Sequence, residues 1–325
     1  MRRIELRVLK NKPRDRSRYI DLSGSIDVRL IVDSDSYLYV GTGVEKFSVD
    51  INKVKNLYAK MKNINERFLR QVQLTQGYQE FASLISGTVV LPGSSIKGNV
   101  RTRLELSFHG FQGNVRSCFT KAGIIRKARV GAIGWRHQKV WGNVVFENRR
   151  KKCDFTKEDN VCLICDIFGT SGLKSLVDFS DFIGLNIKLE YLDLPYGIKV
   201  EAAPPESTFS GRIDFMNLKD YELGLLLLGM KIIDGRVGRR ILLGRFKYRS
   251  LMGNKKFGRV KFIIDKIKLS NFSSKLTLGS ICLNPEEAAT GENLDKLCKS
   301  LVELSYEKFK DEIEIVDEVE KIDEL

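Results

Sequence analysis

Val90-Leu91-Pro92-Gly93-Ser94-Ser95-Ile96-Lys97-Gly98-Asn99-Val100-Arg101-Thr102-Arg103 is the stretch around which the rest of the chain is arranged. It leaves an apolar run, residues 87–91, that reads as a strand. The chain then turns through Pro92-Gly93, a strong local breaker. Ser94 or Ser95 can cap a helix start, and Ile96, Val100 and Leu104 follow at helical spacing. Lys97, Arg101 and Arg103 fall in the first turns of that helix, where the dipole alone disfavours cations. Free N–H groups, hydroxyls and cations at one helix start suit a polyanion such as a phosphate backbone. The alternative is a capped amphipathic helix with a basic solvent face.

The 325 residues carry a net charge of +14, unevenly placed. Residues 286–325 hold 14 acidic and 5 basic side chains, a net of −9, so the first 285 residues carry +23. A body that basic points to nucleic acid, with a solvated basic surface as the alternative. No apolar run approaches a membrane span and the first residues lack a signal-peptide core, so we expect a cytoplasmic protein that uses no membrane.

Working outward, residues 24–32 alternate as a strand, and residues 37–40 run into Gly41-Thr42-Gly43. Gly41 and Gly43 permit close backbone approach to a ligand. Asp50 follows, then a polar, helical-looking insertion, residues 52–85. Beyond the central helix, residues 111–170 form a basic, cysteine-containing insertion. In it Arg116, Lys121, Arg126, Lys127, Arg129, Arg136 and Lys139 alternate with Phe119, Trp135 and Trp141. Cations among aromatics suit backbone contacts with base stacking. Residues 176–182, 185–191 and 208–215 read as strands, and leucine-rich 218–233 as a buried helix. Residues 235–259 carry nine cations, among them Arg245, Lys247, Arg249, Lys255 and Lys256, with five glycines and with Phe246, Tyr248 and Phe257 between. Glycine lets N–H groups face phosphates, and the aromatics can stack on bases. Residues 260–267 close a strand. The acidic tail, residues 284–325, has helical spacing at Leu294, Leu297, Leu301 and Leu304. It packs on the body, contacts a partner or shields the basic face.

Cysteines stand at 118, 153, 162, 165, 282 and 298. Cys162-x2-Cys165 has the spacing of half a zinc site. Cys153 is a third ligand from the preceding loop, and the fourth is His137 or Cys118. Such a site is structural and staples the basic insertion. The alternative is a pair of buried cysteines beside Phe168. A redox pair lacks the βαβ context it needs.

Several landmarks together resemble the RAMP superfamily, the RNA-binding subunits of CRISPR effector complexes, and most of all the backbone subunits of type III (Csm/Cmr-type) complexes. The landmarks run in the family's order. Residues 38–43 resemble its strand-plus-glycine motif, and residues 91–103 its IPGSSLKGxxR signature. Cys162-Leu163-Ile164-Cys165-Asp166-Ile167-Phe168-Gly169 resembles its CxxCxxFG motif. Residues 176–181 resemble the strand that follows, 203–209 the element after the thumb hairpin, and 243–260 the glycine-rich loop before the last strand.

The resemblance implies an α+β fold: an RRM-like (ferredoxin-like) core enlarged by insertions, one of them a zinc-type cysteine insertion, with a thumb hairpin. The core domain spans residues 1–283, and the tail is 284–325. It implies subunits stacked along CRISPR RNA, each gripping a few guide nucleotides and positioning target RNA beside sibling subunits. On that reading Gly41, Gly43, Ser94, Ser95, Lys97, Arg101, Arg103, Arg245, Lys247, Arg249, Lys255 and Lys256 contact RNA. Tyr196, in a thumb over residues 192–205, is a wedge in the guide–target duplex. In cutting relatives an aspartate after the glycine motif promotes metal-dependent cleavage of target RNA, with magnesium or manganese. Asp50 is its counterpart, although Val49 stands where the family has glycine and Ile51-Asn52 follow. The alternative function is therefore an endoribonuclease acting through Asp50; the alternative for Asp50 itself is a surface or capping residue.

Overall fold

The computed structural model describes residues 5–43, 47–72, 74–84, 86–119, 127–132, 134–149 and 152–325. Lys121 and Arg126 of the basic insertion lie outside them. In chain order, the elements used below begin with strand β1 (Leu22–Val32), helix α1 (Ile51–Met61), strand β2 (Val90–Leu91) and helix α2 (Gly93–Ser107). Helices α3 (Trp135–Trp141) and α4 (Leu163–Phe168) follow, then strand β3 (Phe182–Gly184) and hairpin strands β4 (Glu190–Leu194) and β5 (Ile198–Ala202). Strand β6 (Thr208–Leu218), helix α5 (Asp220–Gly229), strand β7 (Arg259–Leu269), helix α6 (Gly291–Phe309) and helix α7 (Glu318–Asp323) complete the set.

Strand β1 is the centre of a mixed α/β architecture. Its alternation buries Ile26, Val28, Leu30 and Val32 on one face, as period-two patterning requires. Strand β6 lies antiparallel on one side, with Ile213 opposite Ile26. Strand β7 lies antiparallel on the other, with Phe262 opposite Leu30 and a bulge between Ile264 and Lys266. The main path is Ile241–Leu242, β7, β1, β6, β3, β2, with Val177–Phe179 also paired to β6 and Ala288–Ala289 to β7. The expected strand over 176–182 is broken at Ser180-Asp181 into two short ones. The expected strand over 185–191 starts only at Glu190, because Asn186 turns the chain at φ +52°.

Helix α5 is shorter than its leucine run: Leu218 belongs to β6 and the helix ends at Gly229. It buries every residue from Glu222 to Gly229. Gly224 has a packing reason. A Cβ there would lie 2.0 Å from the Leu301 carbonyl oxygen of α6, so the two helices meet backbone to side-chain-free backbone. Helix α6 turns Leu294, Leu297, Leu301 and Val302 into the same core. Of the three roles open to the acidic segment, packing on the body is the one the structure displays. The 52–85 insertion is helical only as far as Gln71; residues Leu74–Gln76 return as a strand against Phe47–Val49. Among the described residues no helix is long and apolar enough to cross a membrane.

Candidate nucleic-acid interface and cysteine centre

Helix α2 begins at Gly93, with Pro92 before it and no side-chain cap. Ser94 and Ser95 therefore do not cap the helix; they lie exposed in its first turn. The anion this helix start receives is the chain's own: the Gly93 N–H donates to Asp181 Oδ1 at 2.8 Å. The expected phosphate at that N-terminus is thus replaced by an internal carboxylate, which satisfies the same donor and the same dipole.

The three cations of the signature also turn inward. Lys97 Nζ donates to Ser175 Oγ at 2.6 Å and to the Val177 carbonyl at 2.7 Å; burial lowers its pKa. Arg101 donates to Glu105 (2.7 Å), the Gly169 carbonyl (2.8 Å) and Cys165 Sγ (3.2 Å). Arg103 is 4% exposed and donates to Glu318 (2.9 Å), the Gly229 carbonyl (2.7 Å) and Asn99 Oδ1 (2.9 Å). Arg103, expected to grip RNA, is committed to these internal acceptors, though it also lines the groove described below. A guanidinium with three internal acceptors is a strut of the fold.

What α2 offers outward is its other stripe: Ser95, Gly98, Asn99 and Thr102, at i, i+3, i+4 and i+7. These line a groove of about 800 Å³ together with Val40, Gly41, residues 242–245, Lys247 and Tyr248, and with Arg101, Arg103 and Glu318, which keep their internal partners there. The glycine-rich loop lies directly on the first glycine motif. Gly244 takes φ +81°, and a Cβ there would sit 2.5 Å from the Tyr39 carbonyl oxygen; the Arg245 N–H donates to that oxygen at 2.9 Å.

The basic insertion supplies the far wall through His137 and Trp141. Trp141 Nε1–H donates to Tyr248 Oη at 3.1 Å, and His137 meets the Tyr248 ring edge-on at 5.1 Å. Sequence reasoning missed Asn99, Thr102 and the groove-facing role of His137. The spacing of 95, 98, 99 and 102 was the available signal for the first two.

Cations around the groove differ in how committed they are. Arg245 is exposed, with Gln79 Oε1 as acceptor at 2.5 Å. Lys247 is partly exposed, and burial, helped by the nearby Arg103 charge, holds its pKa at about 8. Arg249 is exposed. Lys255 lies 4.7 Å over the Tyr37 ring, and Lys256 pairs with Asp35 at 2.6 Å. Lys127, Arg129 and Lys139 are exposed, whereas Arg116 is held by Glu312. Gly41 and Gly43 are exposed. Tyr196 stands at the β4–β5 turn, 86% exposed, with φ +66°.

Asp50 is the N-cap of α1; its carboxylate accepts from the N–H groups of Asn52 (2.9 Å) and Lys53 (3.2 Å). It is not among the described residues that line the groove.

Cys118, Cys153, Cys162 and Cys165 are buried, with all four sulfurs within 4.8 Å of one another. The Cys118–Cys165 separation is 3.4 Å and Cys118–Cys162 is 3.7 Å. A tetrahedral zinc with Zn–S bonds of about 2.3 Å needs sulfur–sulfur edges of about 3.8 Å. The Cys118 and Cys162 N–H groups donate to the Cys162 and Cys153 sulfurs at 3.4 and 3.3 Å. Hydrogen bonds among the four hold the Cys153 thiol well below its ordinary pKa and push the Cys162 and Cys165 thiols well above theirs, so the cluster shares its protons unevenly. The donor set fits a closed structural metal site. Cys118, and not His137, stands with the other three cysteines in this cluster. His137 is instead held against Tyr248 by ring packing, which corrects its expected role as a ligand.

No curated protein matches the sequence. Among solved structures, the chain is similar to one described as "Type IV-B CRISPR Complex", with a TM-score of 0.36 and 11% identity over 74% of this chain and 90% of that one. A sequence model described as the RAMP superfamily matches residues 75–315, about three quarters of the protein, and takes in α2, the cysteine pair, the hairpin and the glycine-rich loop: the chain belongs to the RAMP superfamily.

Proposed function

We propose that this protein is an RNA-binding subunit of a cytoplasmic, type III CRISPR effector complex, stacked with sibling subunits along the CRISPR RNA and positioning target RNA. One observation carries this reading: the exposed stripe of α2, the Gly41 motif, the glycine-rich loop and the aromatics of the basic insertion converge on a single groove. Hydroxyls and approachable backbone suit a sugar-phosphate chain; Lys247 supplies charge; His137 and Tyr248 offer ring faces and edges to bases, with the buried Trp141 holding the Tyr248 hydroxyl. The run β1, α2, β3, β6, α5, β7, with strand order β7-β1-β6-β3, supports an RRM-like core. The four cysteines would hold zinc, whose part is to fix the loop that Arg101 touches. Tyr196 is read as the wedge of a thumb. Binding is the activity the groove supports; Asp50, the residue of the alternative endoribonuclease reading, caps a helix through Oδ1 and lies outside the groove lining.

The test is binding of labelled single-stranded RNA to the full-length protein across a salt series. The expected result is affinity that falls steeply with salt, with a log–log slope near −0.7 for each phosphate engaged, and that drops for all sequences alike in Arg245→Glu/Lys247→Glu. Absence of RNA binding at low salt overturns the reading.

A further inference from the structure

The segment beyond residue 315, where the superfamily match stops, is built into the back of the groove. Val316, Val319 and Ile322 form a small second core with Leu106 of α2, Val140 and Trp141 of α3, and Leu242 of the strand that leads into the glycine-rich loop; Tyr248 of the loop packs on its edge. These are the same elements that present the groove's front.

The polar contacts follow the same division. Glu318 is 1% exposed and pairs with Arg103 (2.9 Å) and Lys231 (2.9 Å). Burial pushes the Glu318 carboxyl up, yet these two cations hold it below its usual pKa. Asp323 pairs with Arg259 at 2.6 Å. Arg259 is fully buried and donates onward to the carbonyls of Arg249 (3.1 Å), Ser250 (3.3 Å) and Phe257 (2.6 Å). One carboxylate at the C-terminal end thus orients the arginine that ties three points of the loop together. Lys321 Nζ donates to the Val140 carbonyl at 3.2 Å, near the end of α3.

We infer that residues 316–323 are a clamp that preorganises the RNA groove, with Asp323 as the positioning residue for the glycine-rich loop and Glu318 as the positioning residue for α2. The inference rests on the RNA-binding reading above. Asp323 does not line the groove; Glu318 does, with its charge matched by Arg103 and Lys231. The clamp lowers the ordering that the loop and its side chains must undergo on binding, which is where preorganisation yields affinity.

The test compares full-length wild type, Asp323→Asn, Asp323→Glu and the exposed control Glu324→Gln. Binding of single-stranded RNA is measured against salt, and amide exchange is followed over residues 243–258. The expected result is RNA affinity lowered about tenfold in Asp323→Asn through weaker preorganisation, with a salt slope shallower by about 0.7 for each phosphate no longer engaged. Faster exchange in the loop accompanies it, Asp323→Glu restores affinity in large part, and Glu324→Gln matches wild type. A general loss of stability would lower the active fraction without changing the salt slope. If Asp323→Asn folds too poorly to measure, Lys321→Met, which removes the hydrogen bond to α3, replaces it with the same expectations for exchange over residues 135–141. Wild-type affinity, slope and exchange in these variants overturn the clamp. Failure of the wild type itself to bind RNA overturns the function reading, and the clamp with it.

Discussion

Lys247 shows how one side chain makes the groove testable. Its ordinary pKa is 10.5, and in the folded protein it is about 8. Burial is the main cause, the Arg103 charge adds to it, and the Glu318 charge opposes it. The sign follows directly. Between pH 8 and 10.5 the unfolded chain keeps a proton that the native lysine has lost, so this group's contribution to stability rises with pH across that window. On the proposed RNA-binding reading, affinity goes the other way, since phosphate would engage the ammonium. We expect affinity to fall several-fold from pH 7 to pH 9 while stability does not fall through this group. Lys247→Arg should bind equally well at both pH values, because guanidinium stays charged. Fluorescence titration at fixed ionic strength reads the effect; a pH-independent wild type contradicts it. Arg101 is the opposite kind of residue. Its donors reach Glu105, Gly169 and Cys165, and what it orients is the cysteine loop.

At the level of elements, the four cysteines come from three chain segments: Cys118 after α2, Cys153 in a loop, and Cys162 and Cys165 at the start of α4. Such a site cannot assemble in the unfolded chain, so metal binding is coupled to folding. We expect one equivalent of zinc by elemental mass spectrometry. Cys118→Ser should lose most of it, with marked destabilisation, and His137→Ala should retain it. Retention by the first and loss by the second contradicts the assignment.

The Cys162-x2-Cys165 half-site was legible because two ligands sit on one turn. The choice between His137 and Cys118 was not, because 47 and 44 residues separate Cys118 from its partners and only tertiary packing brings them together. Helix α2 divides the same way. Ile96, Val100 and Leu104 gave its buried stripe. Nothing local told that Lys97, Arg101 and Arg103 have acceptors in α4, α7 and the strand at Val177, because the snorkelling reach of a long cation is set by distant neighbours. Leucine content located α5, while its true ends depended on Leu218 completing a ladder with Leu22.

For the whole molecule, the charge of +23 on the first 285 residues overstates what a ligand meets. Arg14 and Arg16 both pair with Asp166, and Arg103, Arg116 and Arg259 pair with acidic residues of the C-terminal segment. The segment that reads as an acidic tail is thus counter-charge and scaffold for the basic body. Net charge suggested a class of partner, and the ordered motifs pointed to the family that the sequence model matches. The groove proposed to meet that partner became visible only when the cations with internal acceptors were separated from the others. A second exposed aromatic pair, Tyr19 and Phe272, stacks at 5.1 Å away from the described groove and gives the groove assignment a natural competitor.

Ultraviolet crosslinking of single-stranded RNA to the full-length protein, with the crosslinked peptides identified by mass spectrometry, tests the central claim most directly. The account predicts crosslinks at Tyr248 and His137, abolished when Arg245 and Lys247 are both changed to glutamate. Crosslinks confined to Tyr19 and Phe272, unaffected by that double change, would contradict it.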